Sequence, residues 1–305
     1  MCPTRRAVEF RLHVNGANLE LYRNNVLVDS HPLASLTSYT INGGDGGETL
    51  RIDELIALPG GIFFNAGAPN SPPGDGIVIA LGPLIALDAS TVSYTNATDG
   101  VITLASGATS ATYNFTGIDP IDMTGSTLTD LVFNLPGNTD TQLEDNGIPA
   151  DGMSRLRDAG GGFDPTTFGH PTSSLTIHGT AGDSVTVTLV DSLGSADLTI
   201  GSLTDAAVRP DSISVDNVVT SGTVNLAATG SIGELGIDGA PDIVANAAAL
   251  LAGGNITGLD LQVSTVAAAN TGSGFIQIFN AGDLVVGTVS GIAGITAAGN
   301  ISVLD

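Results

Sequence analysis

The fold is indicated most directly by the stretch Ser174-Leu175-Thr176-Ile177, in which apolar residues alternate with hydroxyl-bearing ones. A period of two places the apolar side chains on one face of a β-strand. Similar short stretches recur along the chain at irregular intervals. They are Asp197-Leu198-Thr199-Ile200, Ser212-Ile213-Ser214-Val215, Thr223-Val224-Asn225-Leu226, Asp283-Leu284-Val285-Val286 and Asn300-Ile301-Ser302-Val303. Because Gly, Asn, Asp and Ser lie between them, the sequence predicts repeated short strands separated by turns.

These repeats predict an all-β fold, a right-handed parallel β-solenoid in which the inward Leu, Ile and Val of one coil stack on those of the next. Tandem β-sandwiches also consist of many short strands and remain the alternative. We expect a less regular N-terminal β-rich region over residues 1–171 and solenoid repeats over residues 172–305. The repeats stop inside a coil, so we expect the natural protein to continue. The Ala-rich segment Asp242–Leu251 predicts a short helix or a loop excursion.

The charge and composition of the chain exclude several classes of function. The 305 residues include 31 acidic and 8 basic ones, and the formal net charge is −23. Binding to nucleic acid requires a basic face, so we expect no nucleic-acid partner. The single Cys2 excludes an intrachain disulfide and a cysteine-based zinc site. No apolar run approaches the roughly 20 residues of a membrane-spanning helix, and no secretion signal opens the sequence.

Two regions resemble the large repetitive surface proteins of environmental bacteria that carry filamentous-haemagglutinin-like or hemolysin-type repeats. The first runs from Leu131-Val132-Phe133-Asn134-Leu135-Pro136 through Ser154-Arg155-Leu156-Arg157 to Ser174-Leu175-Thr176-Ile177. The second runs from Val263-Ser264-Thr265-Val266 through Ile276-Gln277-Ile278 to Val286-Gly287-Thr288-Val289. The resemblance covers about residues 131–305. It implies a non-catalytic structural or adhesive segment, secreted or displayed at the cell surface, whose signal peptide is not in this fragment. The implied partners are neighbouring solenoid segments of the same parent protein, surface glycans, and host or matrix proteins.

Calcium is the cofactor that the resemblance suggests. The stretch Gly43-Gly44-Asp45-Gly46-Gly47-Glu48-Thr49-Leu50 approximates the hemolysin-type calcium repeat, with Glu48 where that pattern has Asp. A second, weaker copy, Gly179-Thr180-Ala181-Gly182-Asp183, adds Asp183. The metal-ligand candidates are therefore Asp45, Glu48 and Asp183, and plain turns are the competing interpretation. A calcium-binding repeat module is the alternative function.

The chain also offers a few residues that could be tested as an enzyme site. Asn138-Thr139-Asp140 matches one block of the polysaccharide-cleaving β-helix enzymes, but their other blocks are missing and Gly169-His170 is followed by Pro171. Asp140, Glu144, Asp145 and Asp151 form the densest acidic cluster, which predicts a solvated loop or, if the loop gathers them, a calcium site. Glycoside hydrolysis would require two carboxyl groups facing one groove at about 5–10 Å. We predict no catalytic residues and a protein that is not an enzyme.

Overall fold

The computed structural model describes residues 8–67, 74–236 and 238–304. Within these ranges the chain forms β-strands and two short 3-10 turns, Leu33–Ser35 and Ala206–Val208, with no α-helix. The first strands are β1 Val8–Asn15, β2 Asn18–Arg23, β3 Val26–Pro32, β4 Tyr39–Gly44, β5 Glu48–Ile52, β6 Ile62–Gly67, β7 Gly76–Ile79, β8 Gly82–Tyr94, β9 Gly100–Ser106, β10 Thr109–Thr116, β11 Ile121–Asp122, β12 Ser126–Asn134, β13 Asp140–Asp145, β14 Met153–Asp158 and β15 Thr166–Gly169. The remaining strands are β16 Ser174–His178, β17 Ser184–Thr188, β18 Asp197–Ile200, β19 Ser212–Val219, β20 Thr223–Ala228, β21 Ser231–Glu234, β22 Ile243–Ala252, β23 Ile256–Asn270, β24 Ile276–Asn280, β25 Val285–Val286, β26 Thr288–Val289, β27 Ile292–Ala293, β28 Ile295–Thr296 and β29 Ile301–Leu304.

The prediction of an all-β chain is confirmed, and four of the repeated stretches named above lie on β16, β18, β19 and β20. Of the stretch from Asp283 to Val286, only Val285 and Val286 form a strand. Many of these strands pair in parallel with strands that are distant in sequence. The parallel β-solenoid itself stays a prediction at this point. Cys2 lies outside the described residues.

The chain divides into two compact units. Unit 1 comprises Met1–Thr129 and Phe163–Gly169, and unit 2 comprises Asp130–Gly162 and His170–Asp305. The boundary expected from the sequence, between residues 171 and 172, stays a prediction. Each unit has its own apolar interior and is described separately.

Unit 1 contains two parallel ladders and a set of antiparallel hairpins. β5, β7, β11 and β15 pair in parallel in that order, so that Leu50, Ile77, Ile121 and Thr166 lie in register. β4, β6 and β10 form the second ladder, in which Ile41, Phe64 and Phe115 are stacked. β1 pairs in parallel with β5 and antiparallel with β2, whose other neighbour is β3. The aligned side chains are buried, so the core of unit 1 lies between its ladders.

Unit 2 contains two longer parallel ladders. In one ladder, Leu175, Leu198, Val224, Ala248 and Val266 occupy matching positions on β16, β18, β20, β22 and β23, and all five side chains are fully buried. In the other, an aliphatic column follows β17, β19, β21, β23, β24 and β29. Its members are Val185, Ile213, Ile232, Ile256, Ile276 and Ile301. The period-two pattern therefore produces columns of side chains that run across the strands.

The expectation of a helix or loop over Asp242–Leu251 is wrong, because this segment contains strand β22, Ile243–Ala252. Alanine favours helices in isolation, but β20 and β23 pair with β22 on both sides. Both faces of the strand are also covered: Ala248 points into the column above, while Ala247 and Ala249 pack in a cluster with Val289. A strand buried on two faces lacks the apolar–polar alternation by which strands are recognised, and small side chains suit the crowded position.

Candidate functional site

The two calcium candidates of unit 1, Asp45 and Glu48, lie in different environments. Asp45 is exposed in the turn between β4 and β5. Glu48 begins β5 and is only 4% exposed, because its side chain follows the inward pattern of Leu50 and Ile52. The backbone N–H of Glu48 donates a hydrogen bond to Oδ1 of Asp75, at 2.6 Å. The structure thus joins Glu48 to a carboxylate that the sequence analysis did not consider.

Asp183, the candidate of unit 2, has both carboxylate oxygens occupied. Oδ1 accepts hydrogen bonds from the backbone N–H and the hydroxyl of Thr139, both at 2.8 Å. Oδ2 accepts from the backbone N–H of Thr180 at 2.6 Å and from its hydroxyl at 3.2 Å. Since Asp183 immediately precedes β17 and Thr139 immediately precedes β13, this carboxylate fastens the starts of two paired strands. The role of Asp183 as a metal ligand stays a prediction. Its two carboxylate oxygens already accept the four hydrogen bonds from Thr139 and Thr180.

A column of four acidic residues precedes the β5–β7–β11–β15 ladder of unit 1. Glu48, Asp75, Asp119 and Asp164 each stand two residues before the aligned positions Leu50, Ile77, Ile121 and Thr166. The backbone confirms this alignment, because the N–H of Asp119 donates to the carbonyl oxygen of Asp75. Aspartates 75, 119 and 164 were missed because their register is set by strand pairing. In the sequence they share only one feature, an acidic residue two positions before a buried strand residue. This feature is too common along the chain to identify them.

Three members of this column are buried and incompletely satisfied. Glu48, Asp75 and Asp164 are at most 5% exposed, whereas Asp119 is exposed. Oε2 of Glu48 and Oδ2 of Asp75 and Asp164 have no hydrogen-bond partner in the described structure. Burial, together with contact with the carboxyl group of Glu48, raises the pKa of Asp75 above its usual range. Burial and the charges of Asp119 and Asp99 raise the pKa of Asp164 to about 8. Like charges and desolvation both favour the protonated acid.

Unit 2 contains a serine–histidine pair that resembles part of a nucleophilic site. The hydroxyl of Ser154 lies 2.8 Å from Nε2 of His170, and Nδ1 of His170 lies 3.0 Å from the carbonyl oxygen of Ser192. Burial lowers the pKa of His170 and favours the neutral imidazole. Ser154, however, has no exposed surface. A nucleophile must be accessible to its substrate, so the buried Ser154 does not fit that role. The pair instead links strand β14 to the segment that contains Ser192.

In the acidic cluster on the β13–β14 hairpin, Glu144 and Asp140 already have partners, whereas Oδ2 of Asp145 has none in the described structure. Glu144 forms ion pairs with Arg155 and with Arg157, whose Nε lies 2.7 Å from Oε1 of Glu144. Although burial opposes it, hydrogen bonds from these two arginines lower the pKa of Glu144. Asp140 accepts a hydrogen bond from the hydroxyl of Ser184. A glycosidase acid must hold a proton near neutral pH, and Glu144 is held in the opposite state.

A surface depression in unit 2 offers little room for a substrate. One depression of about 180 Å³ in unit 2 is lined by residues that include Asp260, Phe279 and Asn280. Both polar atoms of the Asn280 side chain are used, by the N–H of Val263 and the carbonyl oxygen of Gly282. Typical small-molecule sites enclose about 300–1,000 Å³. This depression is therefore small for a substrate pocket.

Neither a metal-ligating cluster of three or more side chains nor a membrane-spanning helix is present in the residues that the structure describes. No group of three or more His, Cys, Asp and Glu side chains there is placed to hold a metal ion. In the same ranges, no helix has the length and apolar character needed to cross a membrane. No protein-family model, curated protein or solved structure significantly matches the chain.

Proposed function

We propose that this chain is a non-catalytic structural or adhesive segment of a large extracellular or cell-surface bacterial protein, built as a parallel β-solenoid. The observation that carries the proposal is the pair of side-chain columns in unit 2. Residues separated by 18 to 28 positions, such as Leu198, Val224 and Ala248, lie in register on consecutive parallel strands. Each coil buries apolar side chains against the coils on either side of it, as in a repeat protein. Sandwich domains, the alternative fold, consist of antiparallel sheets.

The distribution of charged groups supports a structural role. The acids of unit 2 that are fully or largely buried, Asp183 and Asp191 among them, accept backbone hydrogen bonds and so fix turns. Glu144 is neutralised by two arginines. These hydrogen bonds and ion pairs stabilise the turns and strands that carry them. The resemblance to bacterial surface proteins supports the extracellular location.

The far edge of β29 is the surface through which we propose that a neighbouring segment attaches. Ile301 and Val303 stand in register with Ile276 and Ile278, which are fully buried, yet Ile301 is 46% exposed. β24 is the strand that pairs with β29 within the described residues. An uncovered apolar column beside a row of unpaired backbone groups is a template for another strand.

We propose that the occupant of this edge is a further coil of the same kind, for which a second copy of this chain can substitute. Asp283 is the single charged residue between residues 261 and 304. The net charge of −23 opposes contacts between copies over much of the surface, but this edge carries almost none of that charge. Self-association is therefore least costly here.

Association through β29 can be tested with one double variant. Sedimentation velocity over a range of concentrations should detect self-association of the unmodified chain. Ile301→Lys with Val303→Lys should abolish it, because two ammonium groups would occupy the core positions of the joint. Ser302→Lys on the opposite face of β29 is the matched control and should retain association. A monomer at every concentration, or equal loss in the control, would contradict this proposal.

A further inference from the structure

Two buried carboxyl groups of unit 1 face each other, and none of the arginines in the described part of this unit lies beside them. The carboxyl groups of Glu48 and Asp75 contact each other, and each has one oxygen atom with no hydrogen-bond partner. The arginines described in unit 1 are engaged elsewhere: Arg11 and Arg51 lie beside Asp53, and Arg23 lies over the ring of Phe10. Burying an ionised carboxylate without a partner costs several kcal/mol. An ionised pair at this position therefore needs a cation as its counter-charge.

The chemistry of the ligands favours a particular kind of cation. Glu48 begins β5, Asp75 immediately precedes the neighbouring parallel strand β7, and each offers a buried carboxylate oxygen that lacks a hydrogen-bond partner. Ca²⁺ binds oxygen ligands at about 2.3–2.6 Å in flexible geometry, which tolerates side chains whose positions are fixed by their strands. Mg²⁺ forms shorter bonds of about 2.0–2.1 Å and demands a near-ideal octahedron, so it tolerates such fixed ligands less well. Oxygen ligands also disfavour Zn²⁺, which is usually held by nitrogen and sulfur.

We propose that Glu48 and Asp75 bind one hard divalent cation of the Ca²⁺ type between strands β5 and β7. Two carboxylates and a divalent cation together are neutral, which removes the cost of burying the pair. Two carboxylates do not complete the coordination of Ca²⁺, so the remaining ligands are water and backbone carbonyl groups. The side chain of Glu48 lies over the glycine-rich turn: Oε1 is 2.9 Å from the position that a Cβ atom on Gly46 would take. A side chain at Gly46 would thus obstruct the carboxylate.

This site differs from the calcium repeat that the sequence suggested. It shares Glu48 with that pattern but relies on Asp75, which lies 27 residues further along the chain. Asp45, the aspartate of the pattern, is exposed in the preceding turn. The pairing of β5 with β7 creates this site, which does not depend on the proposed function.

The proposal is tested by calorimetric titration and thermal melting of the full chain with CaCl₂, at pH 7.5 and matched ionic strength. We expect saturable Ca²⁺ binding and a rise in melting temperature, with a clearly smaller response to MgCl₂. Glu48→Gln and Asp75→Asn should each abolish the Ca²⁺ response. In EDTA, Asp75→Asn should melt at a higher temperature than the unmodified chain, because it removes the repulsion. That increase shows that the variant folds.

Two variants serve as matched controls for this titration. Asp45→Asn removes the exposed acid of the turn, and Asp164→Asn removes another buried acid of the same ladder. Both should retain the Ca²⁺ response. The proposal is overturned if Ca²⁺ gives no saturable response, if Mg²⁺ acts equally, or if Asp45→Asn abolishes the response as completely as Asp75→Asn.

Discussion

Replacing Leu198 with alanine is expected to lower the free energy of unfolding of unit 2 by about 2–5 kcal/mol. Leu198 is fully buried between Leu175 and Val224, which occupy the same position on the strands to either side. Removing its methyl groups leaves a cavity that neighbouring strands cannot fill, because both are fixed by backbone hydrogen bonds. Guanidinium denaturation followed by circular dichroism measures the loss.

The control for this prediction is Thr176→Ala, a change on the outward face of β16. Thr176 is partly exposed and pairs in register with Thr199. Its replacement should change the free energy of unfolding by less than about 0.5 kcal/mol, as for most surface substitutions. If Leu198→Ala costs no more than Thr176→Ala, then the columns do not provide the stability assigned to them here.

The stability of the chain in EDTA is expected to fall as the pH rises from about 5 to about 8.5, by on the order of 3 kcal/mol. Burial raises the pKa of Asp164 to about 8, and burial with nearby acids raises that of Asp242 to about 7. The pKa of Asp75 is raised in the same direction. Because the pKa of each group is higher in the folded state than its unfolded value of 3.8, the folded state binds more protons than the unfolded state between these two values. The contribution of these protonated acids to stability is complete below about pH 4. It is lost as the pH rises through the folded pKa values.

Other carboxylates set the lower limit of this stable range. Backbone hydrogen bonds from Ala150 and Gly152 lower the pKa of Asp191. Hydrogen bonds from the two arginines beside Glu144 lower the pKa of Glu144. Their contribution is present above the unfolded pKa and is lost as the pH falls through the folded one. We therefore expect maximal stability near pH 4–5. Denaturation at several pH values measures this profile, and Asp164→Asn should flatten its decline above pH 6. A maximum near pH 8 would contradict the assignment.

The sequence predicted those strands that alternate strictly. Leu175, Leu198 and Val224 each follow a polar residue and precede another, so one face of each strand is apolar, and the structure places all three in one column. The same rule failed at Ala247 and Ala249, because a strand covered on both faces has no alternation to detect. The local sequence pattern is therefore sufficient to predict a strand when one face of that strand is exposed to solvent.

The candidate site depended on register, which local pattern does not specify. Glu48 was selected for its place in a glycine-rich turn, but its partner Asp75 becomes evident only when Thr49 is aligned with Gly76. Asp183 was selected by the same turn pattern, and the structure gives its carboxylate four hydrogen-bond donors from Thr139 and Thr180. The composition of a turn therefore identifies acidic residues at the ends of strands. Pairing between strands decides which acids are satisfied and which are not.

The central claim, that successive strands of unit 2 stack in parallel with fixed register, is tested most directly by disulfide trapping. Thr176 and Thr199 are aligned on neighbouring parallel strands and both are partly exposed. Their Cα atoms should be about 4.8 Å apart, within the range that a disulfide bridges. Asn225 is aligned with Thr199 one strand further on, about twice as far from Thr176 and beyond that range. In a chain carrying Cys2→Ser, mild oxidation should crosslink Thr176→Cys with Thr199→Cys and should fail to crosslink Thr176→Cys with Asn225→Cys. Crosslinking of the distant pair, or none of the near pair, would contradict the stacked ladder.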